Sequence, residues 1–155
     1  MLEFLMFLSG KERALLELLY KANFSVEENT PLCLLGKKYF GFYKKDQKTI
    51  VICTKNAIDV GGYFLPRVDH RDNFHVTNVY IRRALRHEAV HVAQSCKKGN
   101  ILSQSEINKL KLHPNKKKAL LASTKLSGNI NNEIEAYWME DRPRLVKNAV
   151  EKYCL

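Results

Sequence analysis

From Glu88 to Cys96 the chain reads Glu-Ala-Val-His-Val-Ala-Gln-Ser-Cys, a stretch in which Glu88 is the single full charge among small and apolar residues. A helix with this composition is apolar nearly all round and belongs inside a domain rather than on its surface. An ionised carboxylate there is costly unless a cation neutralises it. His87 and His91 flank Glu88 at a spacing of one helical turn, which stacks both imidazoles on one face. The run His87-Glu88-Ala89-Val90-His91 therefore fits a buried helix that holds a divalent ion between two rings, with Glu88 placed to act on a water beside it. The competing reading, three polar residues on the wet side of an amphipathic helix, leaves the apolar remainder of the segment unexplained.

The rest of the chain fits one unit around this helix. Its 155 residues suffice for a core without staples, and 45% hydrophobic with 27% charged residues is a globular balance. We expect a single domain over 1–155. Ser9 and Glu12 have capping-box spacing before a leucine-rich helix of about residues 10 to 22. Tyr39 to Tyr43 and Thr49 to Thr54, separated by Lys44-Lys45-Asp46-Gln47, read as a β-hairpin. Gly61-Gly62 and Pro66 make 55–76 a long loop. The central helix should start at Thr77 or Asn78 and run to about Cys96. Ser103 with Glu106 caps a further helix, and a short helix through Leu120 and Leu121 follows the His113-Pro114 break. A last helical region begins near Asn131 and is broken by Pro143 before Leu145 to Tyr153.

Several classes fall away. The longest apolar stretch, Leu2 to Leu8, is interrupted by Glu3 and far too short for a membrane span. No basic residue precedes Lys11, so a secretory signal is not expected and a cytoplasmic address is. Cys33, Cys53, Cys96 and Cys154 lie far apart and form no CxxC pair, which reads as buried thiols. The excess of 26 Lys and Arg over 16 Asp and Glu gives a formal charge of +10, which attracts anionic partners. A nucleic-acid-binding module with a structural metal is one alternative, weakened by the absence of paired cysteines and of aromatics interleaved with the lysines.

A catalytic zinc site has three protein ligands and an open position, so a third donor must lie elsewhere. The metzincin pattern fails, because Lys97 stands where its third histidine would be and Gln94 where its glycine would be. His70, His75, His113 and Cys96 are donors in chemical principle, the histidines in polar or proline-broken segments and Cys96 off the ligand face.

Glu133-Ile134-Glu135-Ala136, some forty residues beyond the motif, resembles the ExxA element of the gluzincin clan of metallopeptidases. In order and proportion the segment from Leu32 to Pro143 is similar to the minigluzincins. The resemblance implies a small zincin-like α+β domain, mostly helical, with a short antiparallel sheet before the HExxH helix. It implies zinc held by His87, His91 and Glu133, with Glu88 as general base in hydrolysis of a peptide or protein substrate. Glu135 and Glu140 remain alternatives to Glu133, Glu140 being two turns on along the same face. Many gluzincins carry an Asp four residues after the ligand Glu to support a zinc histidine, whereas that position here is Tyr137. The resemblance also makes Thr49 to Thr54 the strand that receives substrate backbone, with 55–76 and Arg82, Arg83 and Arg86 near the cleft. Tyr137 and His75 are both candidates to stabilise the oxyanion. A catalytically silent binding or regulatory protein with the same fold is the other alternative.

Overall fold

The computed structural model describes residues 2–62 and 75–155. Helix α1 spans Gly10–Lys21 and starts at the expected cap, where the Ser9 N–H donates to Glu12 Oε2 at 3.2 Å. Its Leu15, Leu16 and Leu19 are buried at helical spacing. Helix α1 is capped by Ala22, and the φ of 64° at Asn23 just beyond it turns the chain away.

Three short strands follow: β1 (Ser25–Glu28), β2 (Gly41–Lys44) and β3 (Thr49–Ile52). Strands β2 and β3 form the expected hairpin, antiparallel from Gly41 opposite Ile52 to Lys44 opposite Thr49. The sheet is not purely antiparallel, however. Strand β1 pairs parallel to β3, with Ser25 opposite Thr49, and the order is β1-β3-β2. Central strand β3 is buried along its whole length. Ile50 and Ile52 join the main core, while Val51 packs on the other face with Cys33, Cys53, Leu32 and Phe42. Burying each such aliphatic side chain contributes about 1.5–3 kcal/mol.

Helix α2 (Thr54–Gly61) occupies the start of the segment expected to be a loop, and Thr54 belongs to it rather than to β3. A Cβ at Gly61 would lie 2.5 Å from Thr77 Oγ1 and 2.7 Å from Thr77 N, so glycine is what allows α2 to abut the next helix. That helix, α3 (His75–Lys97), runs through the centre of the molecule. Ile81, Leu85, Ala89, Val90, Val92 and Ala93 on it are fully buried. It packs against α2, β2, β3 and two later helices, α6 (Ile130–Met139) and α7 (Pro143–Cys154). Between α3 and α6 lie α4 (Gln104–Asn108), with the predicted Ser103–Glu106 capping box, and α5 (Pro114–Ser127), which has no buried residue and rests on α6.

The four cysteines are not free thiols. Cys33 bridges Cys53, and Cys96 bridges Cys154, with Cα atoms 5.6 Å and 5.3 Å apart. The second bridge joins the end of α3 to the end of α7, whose buried Val146, Ala149 and Val150 line up along one face. Positions separated by 58 residues meet because α7 folds back along α3, a proximity that spacing in sequence does not carry. No described helix is long and apolar enough to cross a membrane.

Candidate metal centre

His87, Glu88 and His91 lie in the middle of α3, and Glu133 in the first turn of α6, which packs against it. His87 Nε2 is 3.1 Å from Glu133 Oε2, and His91 Nε2 is 3.2 Å from Glu133 Oε1. The two Nε2 atoms are 3.2 Å apart. Among the described residues these three side chains are the group able to hold a metal ion. A tetrahedral ion with nitrogen and oxygen donors at about 2.0–2.2 Å sets them roughly 3.3–3.5 Å apart. Each histidine meets its own Glu133 oxygen, and each of the three separations is within a few tenths of an ångström of that spacing.

Both rings are held from behind. The His91 Nδ1–H donates to Gln94 Oε1 at 2.8 Å, and the Gln94 amide is oriented by donating to Asn132 O at 3.0 Å and Glu135 Oε1 at 2.9 Å. His87 Nδ1 faces Glu140 Oε2 at 3.0 Å. With a proton on each Nδ1, the Nε2 lone pairs converge on the space in front of Glu133. Glu140 is thus the carboxylate behind His87, and it also receives Lys116 Nζ at 2.9 Å. Tyr137, the position weighed for that role, instead packs its ring against His87 with centroids 4.4 Å apart, and its hydroxyl meets Ser123 Oγ at 2.5 Å. Glu135 points away from the triangle and binds the backbone N–H groups of Ile101 and Leu102, each at 2.7 Å.

The charges around the triangle are strongly coupled. Burial pulls the His87 imidazole down, but hydrogen bonds to Glu133 and Glu140 outweigh it and leave its pKa well above the ordinary value. Burial likewise opposes Glu133 ionisation, yet bonds from His87 and His91 hold it well below the usual carboxylate range. Burial raises Glu88, against the pull of His87 and His91. A group of donors that draws protons so firmly is one that a cation can occupy by displacing them.

Glu88 sits against strand β2: a Cβ at Gly41 would lie 3.1 Å from Glu88 Cγ and 3.2 Å from its Oε1. Among the described residues strand β2 is one of the two edges of the sheet, β1 being the other, and with the triangle it lines a cleft of about 1040 Å³. Phe40 O accepts from Cys53 N, so alternation along the hairpin turns the backbone groups of Gly41 and Tyr43 outward. The strand from Thr49 to Ile52, expected to face substrate, is instead sandwiched between β1 and β2 with no edge to offer. Arg82, Arg83 and Arg86 also turn away from the cleft, bonding Phe7 O, Asp141 and the Glu12 carboxylate, respectively. His113 caps α5 from an exposed position, and His70 lies outside the described residues.

The fold and the site define a small α+β domain in which a histidine pair on one buried helix meets a glutamate on a second. The chain belongs to a family described as a domain of unknown function (DUF8637), whose profile matches residues 4–155. No curated protein and no solved structure matches it.

Proposed function

We propose that the protein is a zinc-dependent metallopeptidase resembling the minigluzincins, with His87, His91 and Glu133 as metal ligands and Glu88 as general base. The observation that carries this reading is the closure of the donor triangle, two Nε2 atoms and a bidentate-capable carboxylate at 3.1–3.2 Å from one another, beside a further buried carboxylate. Nitrogen and carboxylate donors with no thiolate suit zinc in an open, catalytic site. Bound there, the ion supplies Lewis acidity, drawing the pKa of water toward neutrality and polarising a peptide carbonyl.

The chain's own residues do the rest. Glu88, buried beside the triangle and opposite Gly41, takes the proton of the attacking water and returns it to the leaving amine. Glu140 and Gln94 hold the two imidazoles in the ligating tautomer. The outward N–H and C=O groups of Gly41 and Tyr43 receive substrate backbone as an added strand. Two disulfides favour an oxidising compartment over the cytoplasmic address expected from the first residues.

Metal analysis and peptide hydrolysis, measured on the purified chain and on Glu88→Ala, test the proposal. One zinc per chain in both proteins, with hydrolysis confined to the unaltered one, supports it; a metal-free chain, or activity that survives Glu88→Ala, removes it.

A further inference from the structure

The cleft is chemically unequal at its two ends. Following β2 from Gly41 toward Lys44 also follows α3 toward its C-terminus, since Gly41 lies against Glu88 while the Tyr43 hydroxyl meets Ser95. This brings Lys44 and Lys45 to the same end of the cleft as Lys98, and all three line it. Lys44 is paired with Glu27 at 3.1 Å. Lys45 and Lys98 are exposed, and among the described residues neither has a carboxylate within ion-pair distance. Among the described residues the carboxylates lining the cleft are Glu88 and Glu133, the second belonging to the triangle and the first buried beside it.

The other end, where Tyr39 leads into β2, is apolar. Leu32, Leu35 and Tyr39 line it, and Leu35 is 59% exposed. This wall is anchored rather than loose: Cys33 is bridged to Cys53, and the Asn56 amide donates to Cys33 O, Gly36 O and Tyr39 O at 2.9–3.2 Å. An exposed leucine held in place beside a cleft offers an apolar side chain a partner.

We infer that the cleft selects extended polypeptides carrying an apolar side chain at the Glu88 end and an acidic side chain three or four residues away, received between Lys45 and Lys98. This rests on the peptidase reading for the direction in which a chain lies along β2. The separation follows from strand geometry, because Gly41 to Lys44 spans about 10 Å at about 3.3 Å per residue and Lys45 begins the turn that follows. Two unpaired ammonium groups facing one carboxylate also steer its approach and exclude a basic residue from that position.

Binding is measured separately from cleavage, on zinc-loaded Glu88→Gln protein, by fluorescence anisotropy with three labelled dodecapeptides. One has a central Leu-Phe with Glu three and four residues to either side; the second has Lys in place of Glu, and the third Ser in place of Leu-Phe. The acidic peptide is expected to bind at least tenfold more tightly than the other two, and Lys45→Glu with Lys98→Glu to abolish its advantage over the lysine peptide. Reversing Lys11 and Lys21 on α1 changes net charge equally and should leave the preference intact. Equal affinity for the acidic and basic peptides overturns the inference, as does an equal loss in the α1 control, which would assign the preference to bulk charge. Hydrolysis by the unaltered enzyme is scored independently, so an inactive chain that still binds with this preference refutes the peptidase reading and leaves the selectivity standing.

Discussion

The Nδ1 atom of His87 lies 3.0 Å from Oε2 of Glu140, a residue two helical turns beyond Glu133 on the same face of the chain. On the proposed reading Glu140 takes the place behind His87 that a carboxylate four residues after Glu133 would otherwise fill. Replacing Glu140 with Ala should lower zinc affinity about 10–100-fold, with Gln intermediate because it keeps an acceptor. Tyr137→Phe should change affinity far less, since its hydroxyl bonds Ser123. Competition with a chromophoric chelator distinguishes these variants.

The coupled charges set the pH behaviour of the metal-free chain. His87 is raised in the folded state, so its contribution to stability is fully present below about pH 6.5 and is lost as pH climbs through the raised value. Glu133 is depressed, so its contribution is present above about pH 4.5 and is lost as pH falls through the lowered value. The apoprotein should therefore be most stable between these limits and weaken toward alkaline pH. Zinc reverses the alkaline trend, because the ligands bind it deprotonated. Thermal melts from pH 4 to 10, with EDTA and with zinc, should diverge increasingly as pH rises; parallel curves would remove the assignment of these groups as ligands.

Gly41 leaves room for the Glu88 carboxylate. A methyl group there would stand 3.1–3.3 Å from Glu88 Cγ, Glu88 Oε1 and Ala84 Cβ, tighter than ordinary contact. Gly41→Ala should push Glu88 by a few tenths of an ångström and lower peptide hydrolysis by less than the about 100-fold that a misplacement of about 1 Å costs, with zinc content retained. Unchanged kcat/KM would mean that Glu88 works from another position.

Arg86 reaches Glu12, which is 3% exposed, and its Nε also bonds Glu140 O, so one guanidinium ties α1 to α3 and to the end of α6. Arg86→Ala leaves the Glu12 carboxylate buried without its counter-ion and should destabilise the chain by about 3–5 kcal/mol. The double change Arg86→Met with Glu12→Leu should recover much of that loss in urea unfolding.

Reduction tests the bridges. Opening Cys96–Cys154 or Cys33–Cys53 should cost about 2–4 kcal/mol each, the longer loop more. Loss of Cys33–Cys53 should in addition weaken binding of apolar side chains, because Leu32 and Leu35 flank that bridge. A melting temperature indifferent to dithiothreitol would show that neither bridge forms in solution.

What could be read from the residues alone follows from the range of each signal. The central helix and the Ser9–Glu12 and Ser103–Glu106 caps are encoded within a few positions, and they fall where expected within a residue or two. Strand β1 escaped because Ser25-Val26-Glu27-Glu28 carries one apolar residue, and its pairing is with a strand more than twenty positions away. The sequence shows Glu140 as a same-face neighbour of Glu133, which suits a second candidate ligand as well as the support for His87 that it provides. The helical spacing could not say which side of the ring it would reach. Both disulfides and the outward edge of β2 depend on how elements fold together, which no local pattern records.

His87, Glu88 and His91 lie on the buried central helix and Glu133 is buried on α6, whereas Lys45, Lys98 and Leu35 stand exposed at the cleft's rim. A change on α3 is therefore judged by stability before it can be judged by chemistry, while the cleft's rim can vary without endangering the fold. Across members of this family, the residues at the cleft's rim should diverge well ahead of those at the buried centre, with new preferences arising from a handful of surface substitutions.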